Sequence, residues 1–282
     1  MHRILKCDLA RVLFNRGFAA AVIATAVLCF FTQVYSESAN ERAYSAMEAL
    51  FMLKRDFMAA NSEFSPPVII RKALGGYSSM LLPVTASFPF VFSFISEQNS
   101  GNMLFTISRA SRLKYYFSKF VSAISCGGFC TMFGVILFGI FAYILFPSAN
   151  SSDLLAQTFP NGVLLALVKK ALSAFVYGMV SVLPAFFLCS FCKNPYIILC
   201  VPFLLKFILE TFLSKLQTDA FAAEDFDTYE KLSPFFPDAI SSVFDIRVDK
   251  QFFIIIALNA VFAAAAFAGF SIIMKKRLDR GR

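Results

Sequence analysis

SEQNSGNMLFTISRASRLKYYFSK, residues 96–119, separates two apolar runs at 75–95 and 120–146, each long enough to cross a lipid bilayer. The stretch has four basic residues and one acidic residue: Arg109, Arg112, Lys114 and Lys119 against Glu97. Short loops rich in Lys and Arg remain on the cytoplasmic side of a membrane. The sequence therefore predicts a cytoplasmic loop between two transmembrane helices, with a short helix inside that loop.

The composition of the whole chain is typical of a membrane protein. Of its 282 residues, 58% are apolar and 16% are charged, whereas about a quarter of the residues in a soluble domain are charged. Nucleic-acid binding is an alternative explanation for the net charge of +8, but it needs a basic patch on a soluble face. Here the basic residues stand at the ends of apolar runs. We therefore expect membrane lipids around the chain and no nucleic-acid partner.

Six apolar runs predict six transmembrane helices in one membrane domain that covers residues 1–282. The runs are 17–35, 75–95, 120–146, 163–191, 195–213 and 252–274. A cleaved signal peptide is the alternative for the first run, but Phe31–Tyr35 is a poor small-residue cleavage site. The inner segments are net basic, and most acidic residues fall in the longer outer segments. This distribution predicts an all-α, multi-pass protein of the cell membrane with both termini in the cytoplasm.

Three segments outside these runs have patterns of their own. Residues 1–16 mix basic residues with apolar residues near helical spacing, which predicts an amphipathic helix on the inner membrane surface. Residues 36–72 have an apolar stripe that predicts an outer helix ended by Pro66 and Pro67. Residues 214–250 contain short apolar pieces broken by proline. They predict re-entrant helices at the outer face, between the fifth and sixth spans.

Two prolines, Pro83 and Pro89, lie inside the second predicted span. Proline has no backbone N–H, so each one frees the carbonyl group four residues earlier. In lipid such a carbonyl must find another donor. We therefore expect this helix to face protein or a cavity, either as a gating hinge on the translocation path or as a simple bend.

The fifth predicted span carries two charged residues, Lys206 and Glu210, four positions apart on one helical face. A charge near the centre of a membrane is costly unless it is paired or hydrated. Two roles remain open. The residues form an ion pair with each other, or both line a translocation path.

Common catalytic motifs are absent from the sequence. The single histidine, His2, excludes histidine-based zinc motifs, and no Gly-x-x-x-x-Gly-Lys-Ser/Thr loop is present to bind ATP. Cys189 and Cys192 have the spacing of a redox or metal pair, but a lone pair is more typical of packing. We therefore expect no catalytic residue, no metal site and no cofactor in this chain, and no enzymatic activity.

The loop and the order of spans resemble the permease subunits of type-2 ABC exporters. In that family an acidic residue follows the second span, then a glycine, a Ser/Thr-Arg turn, an aromatic residue and a lysine entering the third span. This sequence has Glu97, Gly101, Ser108-Arg109, Tyr115 or Tyr116, and Lys119. The amphipathic N-terminus and the broken outer helices at 220–240 also resemble the family.

The resemblance implies a half-transporter that pairs with a second copy or a related permease. Separate cytoplasmic ABC ATPase subunits would bind ATP and Mg²⁺ and dock beneath it. Five residues would couple the ATPase to transport: Glu97, Gly101, Arg109, Arg112 and Lys119. Pro83, Pro89, Lys206 and Glu210 are then candidates for the translocation path.

Two other functions fit the same sequence. One is a secondary transporter or channel that works alone, although the two halves show no convincing internal repeat of the kind common in that class. The other is a membrane immunity or scaffold protein without transport. The 37 Phe residues favour a peptide, lipid or drug-like cargo over sugars. Phe is, however, also common on the helix surfaces of membrane proteins that face lipid.

Overall fold

The computed structural model describes residues 2–37, 42–109, 111–147, 159, 162–223, 225–244 and 250–280. This part of the chain is mostly helical, and five of its helices are long and apolar enough to cross a membrane. They are α6 (Tyr77–Asn99), α8 (Arg112–Leu145), the pair α9 (Val163–Ser181) and α10 (Leu183–Leu188) counted as one, α11 (Pro195–Ala222) and α13 (Lys250–Arg280). They correspond to predicted spans two to six.

The predicted first span is shorter than expected. Helix α1 (His2–Leu13) is followed by α2 (Arg16–Cys29), and the two are bent by 54°. At 1.5 Å per residue α2 is roughly 21 Å long, which is less than the hydrocarbon core of about 30 Å. The chain leaves the helix because Phe30 and Thr32 use their carbonyl groups to accept bonds from Met47 and Ala46. A sixth crossing therefore requires α1 and α2 to act as one broken span.

The segment predicted as one outer helix is instead a hairpin followed by short helices. Strands β1 (Gln33–Glu37) and β2 (Arg42–Ser45) pair antiparallel, so the described fold is not purely α-helical. Helices α3 (Ala46–Met52) and α4 (Arg55–Ala60) and the 3-10 helix Ser62–Phe64 follow.

The prediction that Pro66 and Pro67 end a helix is wrong, because they begin α5 (Pro66–Lys72). Proline is well suited to the first turn of a helix, where its missing N–H would have no intrahelical acceptor. Helix α3 starts at a capping box, in which Ser45 and Glu48 bond each other's backbone N–H groups.

Helix α8 is the centre of the bundle and packs against α1, α2, α6 and α9. Its closest neighbour is α9, where Gly127 faces Gly178 so tightly that a Cβ atom on Gly178 would lie 2.3 Å from the Gly127 carbonyl oxygen. Thr131 donates a 2.7 Å hydrogen bond across this contact to the Ala174 carbonyl. Small residues and interhelical hydrogen bonds hold helices together where lipid removes the hydrophobic driving force.

The predicted short helix inside the loop is present as α7 (Asn102–Arg109). Gly101 has a φ of +72°, a conformation that glycine adopts without strain, and it makes the turn from α6 into α7. Only positions 110 and 111 separate α7 from α8.

Residues 214–222, predicted to belong to the broken outer segment, instead continue α11, and short helical pieces broken by proline begin only after it. They are α12 (Phe226–Leu232) and the 3-10 helices Ser233–Phe235 and Pro237–Ser242. The last of these packs against α9, α11 and α13. Residues 245–249 lie outside the described part, as do most residues between α8 and α9. Whether these pieces enter the membrane stays a prediction.

Candidate functional site

A buried ion cluster joins the two ends of the predicted coupling loop. Lys119 places its Nζ 2.6 Å from Glu97 Oε2 and 2.6 Å from Asp8 Oδ1. The exposed fractions are 4% for Lys119, 5% for Glu97 and 7% for Asp8. We call this group the loop-base cluster; its members are Asp8, Arg11, Glu97, Tyr115, Ser118 and Lys119.

Every carboxylate oxygen in the loop-base cluster receives a donor. Tyr115 donates to Glu97 Oε1 at 3.0 Å, and Arg11 donates to Glu97 Oε2 at 3.0 Å beside Lys119. Ser118 donates to Asp8 Oδ2 at 2.6 Å. The two cations balance the two carboxylates, as a buried charge group requires.

The cluster forms because three helices place its members at the same level. Tyr115, Ser118 and Lys119 lie on one face of α8, since residues three and four apart are neighbours on a helix. Glu97 is in the last turn of α6, and Asp8 and Arg11 are three apart on α1. The N-terminal helix is therefore tied to both helices that enclose the loop.

The other three predicted coupling residues lie outside this cluster. Gly101 is in the turn before α7, and Arg109 is exposed at the end of α7. Arg112 forms a 2.8 Å ion pair with Asp279 in α13, with exposed side-chain fractions of 34% and 51%. Sequence reasoning missed Asp8 and Arg11 as members. The sequence feature that could have identified Asp8 is that it is an isolated acidic residue within a basic amphipathic helix.

The second group of interest surrounds Lys206 in α11, which is buried. Its Nζ donates at 2.6 Å to the Ser79 carbonyl, the Tyr177 hydroxyl and Asp238 Oδ1. The hypothesis of a Lys206–Glu210 ion pair is therefore wrong, because the salt-bridge partner of Lys206 is Asp238 in the Pro237–Ser242 3-10 helix. Sequence reasoning missed Tyr177 and Asp238, since neither is close to Lys206 along the chain.

Pro83 in α6 explains why the Ser79 carbonyl is free to accept hydrogen bonds from other helices. Pro83 has no N–H to donate to the carbonyl four residues before it, and that carbonyl belongs to Ser79. It accepts bonds from Lys206 and, at 3.0 Å, from Tyr177. Neighbouring helices thus satisfy the carbonyl freed by Pro83, as predicted.

Pro89, the second proline in α6, also frees a backbone carbonyl that meets a side chain of another helix. Pro89 frees the Thr85 carbonyl, which lies 3.7 Å from the Cys130 Sγ. The two prolines therefore face protein. Their role in a translocation path stays a prediction.

Glu210 lies one helical turn after Lys206 on the same face of α11. Its Oε2 atom is buried and has no hydrogen-bond partner among the described residues. The same part of the chain contains no group of three His, Cys, Asp or Glu residues able to hold a metal ion.

No protein-family model matches this chain, and a search of curated proteins gives no significant match. Its function is therefore inferred from its own residues.

Proposed function

We propose that this chain is the transmembrane permease subunit of an ATP-binding-cassette exporter. It lies in the cell membrane with six spans, the first of them the bent pair α1–α2, and with both termini in the cytoplasm. Its cargo is peptide, lipid or drug-like, and separate ABC ATPase subunits supply the ATP hydrolysis. The observation that carries the proposal is α7, a short helix between two spans whose ends are locked together by the loop-base cluster.

Helix α7 has the form of a docking element. Met103 is buried against the bundle, whereas Phe105 is 71% exposed and Arg109 is also exposed. A helix with one face docked and another face projecting an aromatic and a basic side chain fits a groove on a partner protein. In the proposed complex that partner is the cytoplasmic ATPase.

The loop-base cluster converts a push on α7 into movement of the bundle. Short turns join α7 to α6 and α8, and the Lys119–Glu97 ion pair cross-links those two helices at their base. Asp8 and Arg11 add α1 to the same unit. Glu97 and Lys119 therefore act in coupling by holding helices together, while Phe105 and Arg109 meet the partner.

The apolar side chains exposed around the helix bundle fit a surface that contacts lipid and a second permease subunit. Helix α13 exposes large apolar side chains along its length, including Phe253, Val261 and Ile272. Such a surface is stable only when lipid or another apolar protein surface covers it. In the proposed complex, lipid and a second permease do so.

A photo-crosslinking experiment tests the proposal. A benzophenone amino acid replaces Phe105 in the full chain, in cells, and crosslinked proteins are identified by mass spectrometry. We expect a protein with a Walker A sequence at this position and none at Phe253, which is 63% exposed on α13 and serves as the matched control. Failure to crosslink any Walker A protein at position 105 contradicts the proposal.

Loss of function at the same position gives a second measurement. An aromatic anchor at an interface contributes about 2 kcal/mol or more, so Phe105→Ala weakens the complex by more than about tenfold. We expect the permease to stimulate ATP hydrolysis by the ATPase subunits, and we expect a higher concentration of the Phe105→Ala chain to be needed for the same stimulation, whereas Phe253→Ala leaves it unchanged.

A transporter that works without an ATPase is the second candidate. It is favoured by the ionisable residues around Lys206, because such residues inside spans often mark ion or proton pathways. The purified chain alone, reconstituted in vesicles, distinguishes the two functions. Cargo movement driven by an ion gradient without ATP supports this candidate, and its absence favours the exporter.

A further inference from the structure

Helices α3 and α4 expose apolar side chains next to two cations. Phe51 of α3 is 81% exposed and Phe57 of α4 is 45% exposed. Lys54 and Arg55, at the junction of the two helices, are also exposed and form no ion pair among the described residues. We call residues 46–60 the α3–α4 elbow.

The exposed side of α3 is opposite the side that packs against the bundle. Ala46 and Ala49 are buried, and Leu50 and Leu53 pack against the core. Residues three and four apart share a helix face, so these four residues form one stripe and Phe51 lies on the other side of α3. The ring of Phe51 therefore meets whatever surrounds the bundle.

Backbone hydrogen bonds fix the start of α3 to the end of α2. Ala46 donates to the Thr32 carbonyl at 3.0 Å, and Met47 donates to the Phe30 carbonyl at 2.9 Å. Thr32 also contacts the first turn of α6, because its hydroxyl oxygen lies 2.6 Å from that of Ser78. The end of α2, the start of α3 and the start of α6 are therefore at one level of the bundle.

Helix length relates this level to the thickness of a membrane. At 1.5 Å per residue, Ser78 and Glu97 of α6 are at most about 29 Å apart, and the hydrocarbon core is about 30 Å thick. With Glu97 at the cytoplasmic edge of the core, as the proposed topology requires, the start of α3 lies no higher than the outer edge. Phe51 is at most about 8 Å farther along α3 from Ala46, which keeps its ring within reach of the lipid headgroup layer.

The side chains of the α3–α4 elbow match the chemistry of a phospholipid surface at this level. An exposed ring leaves water by inserting between acyl chains, and basic side chains beside it attract lipid phosphates. Asp56, which follows the two cations, lies in the first turn of α4, where a carboxylate is stabilised by the helix N-terminus. The cations still outnumber it.

We propose that the α3–α4 elbow inserts into the outer leaflet of the membrane, with Phe51 among the upper acyl chains and with Lys54 and Arg55 on lipid phosphates. Insertion anchors the chain at the point where α2, which is shorter than the hydrocarbon core, ends. The inference rests on the membrane placement within the proposed function, but it does not depend on the ATPase.

Tryptophan fluorescence tests the insertion. The chain contains no Trp, so a single substitution reports only its own surroundings. The full chain with Phe51→Trp is reconstituted in vesicles of phosphatidylcholine and phosphatidylglycerol, whose brominated forms quench a Trp that touches their acyl chains. We expect blue-shifted emission, quenched by brominated lipid and protected from iodide in the water. Phe253→Trp is the positive control, since Phe253 is 63% exposed on α13 and faces lipid in the proposed fold.

The role of the two cations has its own measurement. In the Phe51→Trp chain, brominated phosphatidylglycerol should quench more than the same fraction of brominated phosphatidylcholine, because Lys54 and Arg55 attract the anionic headgroup. Adding Lys54→Gln and Arg55→Gln should reduce this preference. An undiminished preference would overturn the assignment of lipid phosphates to these two residues.

Two results with Phe51→Trp would overturn the insertion while Phe253→Trp is quenched by brominated lipid. Quenching by iodide alone would place Phe51 in water. Blue-shifted emission that neither quencher reduces would mean that protein, such as a second copy of the chain, covers the elbow. Absence of lipid quenching in both variants would reject the membrane placement of the whole bundle, and with it the proposed function.

Discussion

Replacing Lys119 with methionine tests whether the loop-base cluster holds the bundle together. Methionine keeps an unbranched apolar side chain and removes the ammonium group. The change breaks two 2.6 Å ion pairs and leaves Asp8 and Glu97, both buried, without their shared cation. Arg11 still pairs with Glu97, although its side chain is 52% exposed. Among the described residues it forms no ion pair with Asp8, so it does not replace Lys119 there.

The expected cost follows from this geometry. Breaking a buried ion pair by removing one partner costs about 3–5 kcal/mol, because an uncompensated charge stays buried. Lys119 serves two buried carboxylates, so we expect the upper part of this range. The matched control is Arg112→Met, which breaks a single pair with Asp279 at 2.8 Å, with exposed side-chain fractions of 34% and 51%. Exposed pairs contribute about 0–1 kcal/mol.

The assay is the free energy of unfolding, measured by titrating a denaturing detergent into mixed micelles and following helicity by circular dichroism. Adding Asp8→Asn to Lys119→Met removes one of the stranded charges, and we expect it to recover part of the loss. A Lys119→Met chain as stable as Arg112→Met would refute the reasoning. So would a double variant less stable than Lys119→Met alone.

Two further predictions concern packing and topology. Gly178→Ala should destabilise the chain by about 1–3 kcal/mol in the same titration, since its Cβ would lie 2.1 Å from Thr131 Oγ1 and would force α9 away from α8. Gly139→Ala, which meets only the Ile70 side chain at 3.3 Å, is the control and should cost less. Ser111→Cys in a cysteine-free chain should react with a membrane-impermeant thiol reagent only after cells are opened. Labelling of intact cells would place the loop outside and reject the topology.

Local patterns in the sequence predicted much of the fold. Run length and hydropathy located the five helices that are long and apolar enough to cross a membrane, because a spanning helix must cover the membrane core with apolar side chains. The turn at Gly101 and the short helix after it were also predictable from neighbouring residues. So was the need for a donor to the carbonyl freed by Pro83, because proline removes a bond whatever surrounds it.

Local patterns failed where two signals competed at one position. The apolar run at 17–35 continues past Cys29, but the helix ends there because Met47 and Ala46, at the start of α3, donate to the Phe30 and Thr32 carbonyls. Pro66 and Pro67 fit the end of one helix or the start of the next, and the sequence pattern alone did not distinguish them.

Charge partners were the part that only the tertiary structure decided. The i, i+4 rule paired Lys206 with Glu210, yet the bundle brings Asp238 to Lys206 from 32 positions away. In the same way Asp8 reaches Lys119 across 111 positions. A buried charge takes whichever opposite charge the packing of helices brings closest. The sequence therefore determined that Lys206 needed a partner or water, and the packing determined that its partner is Asp238.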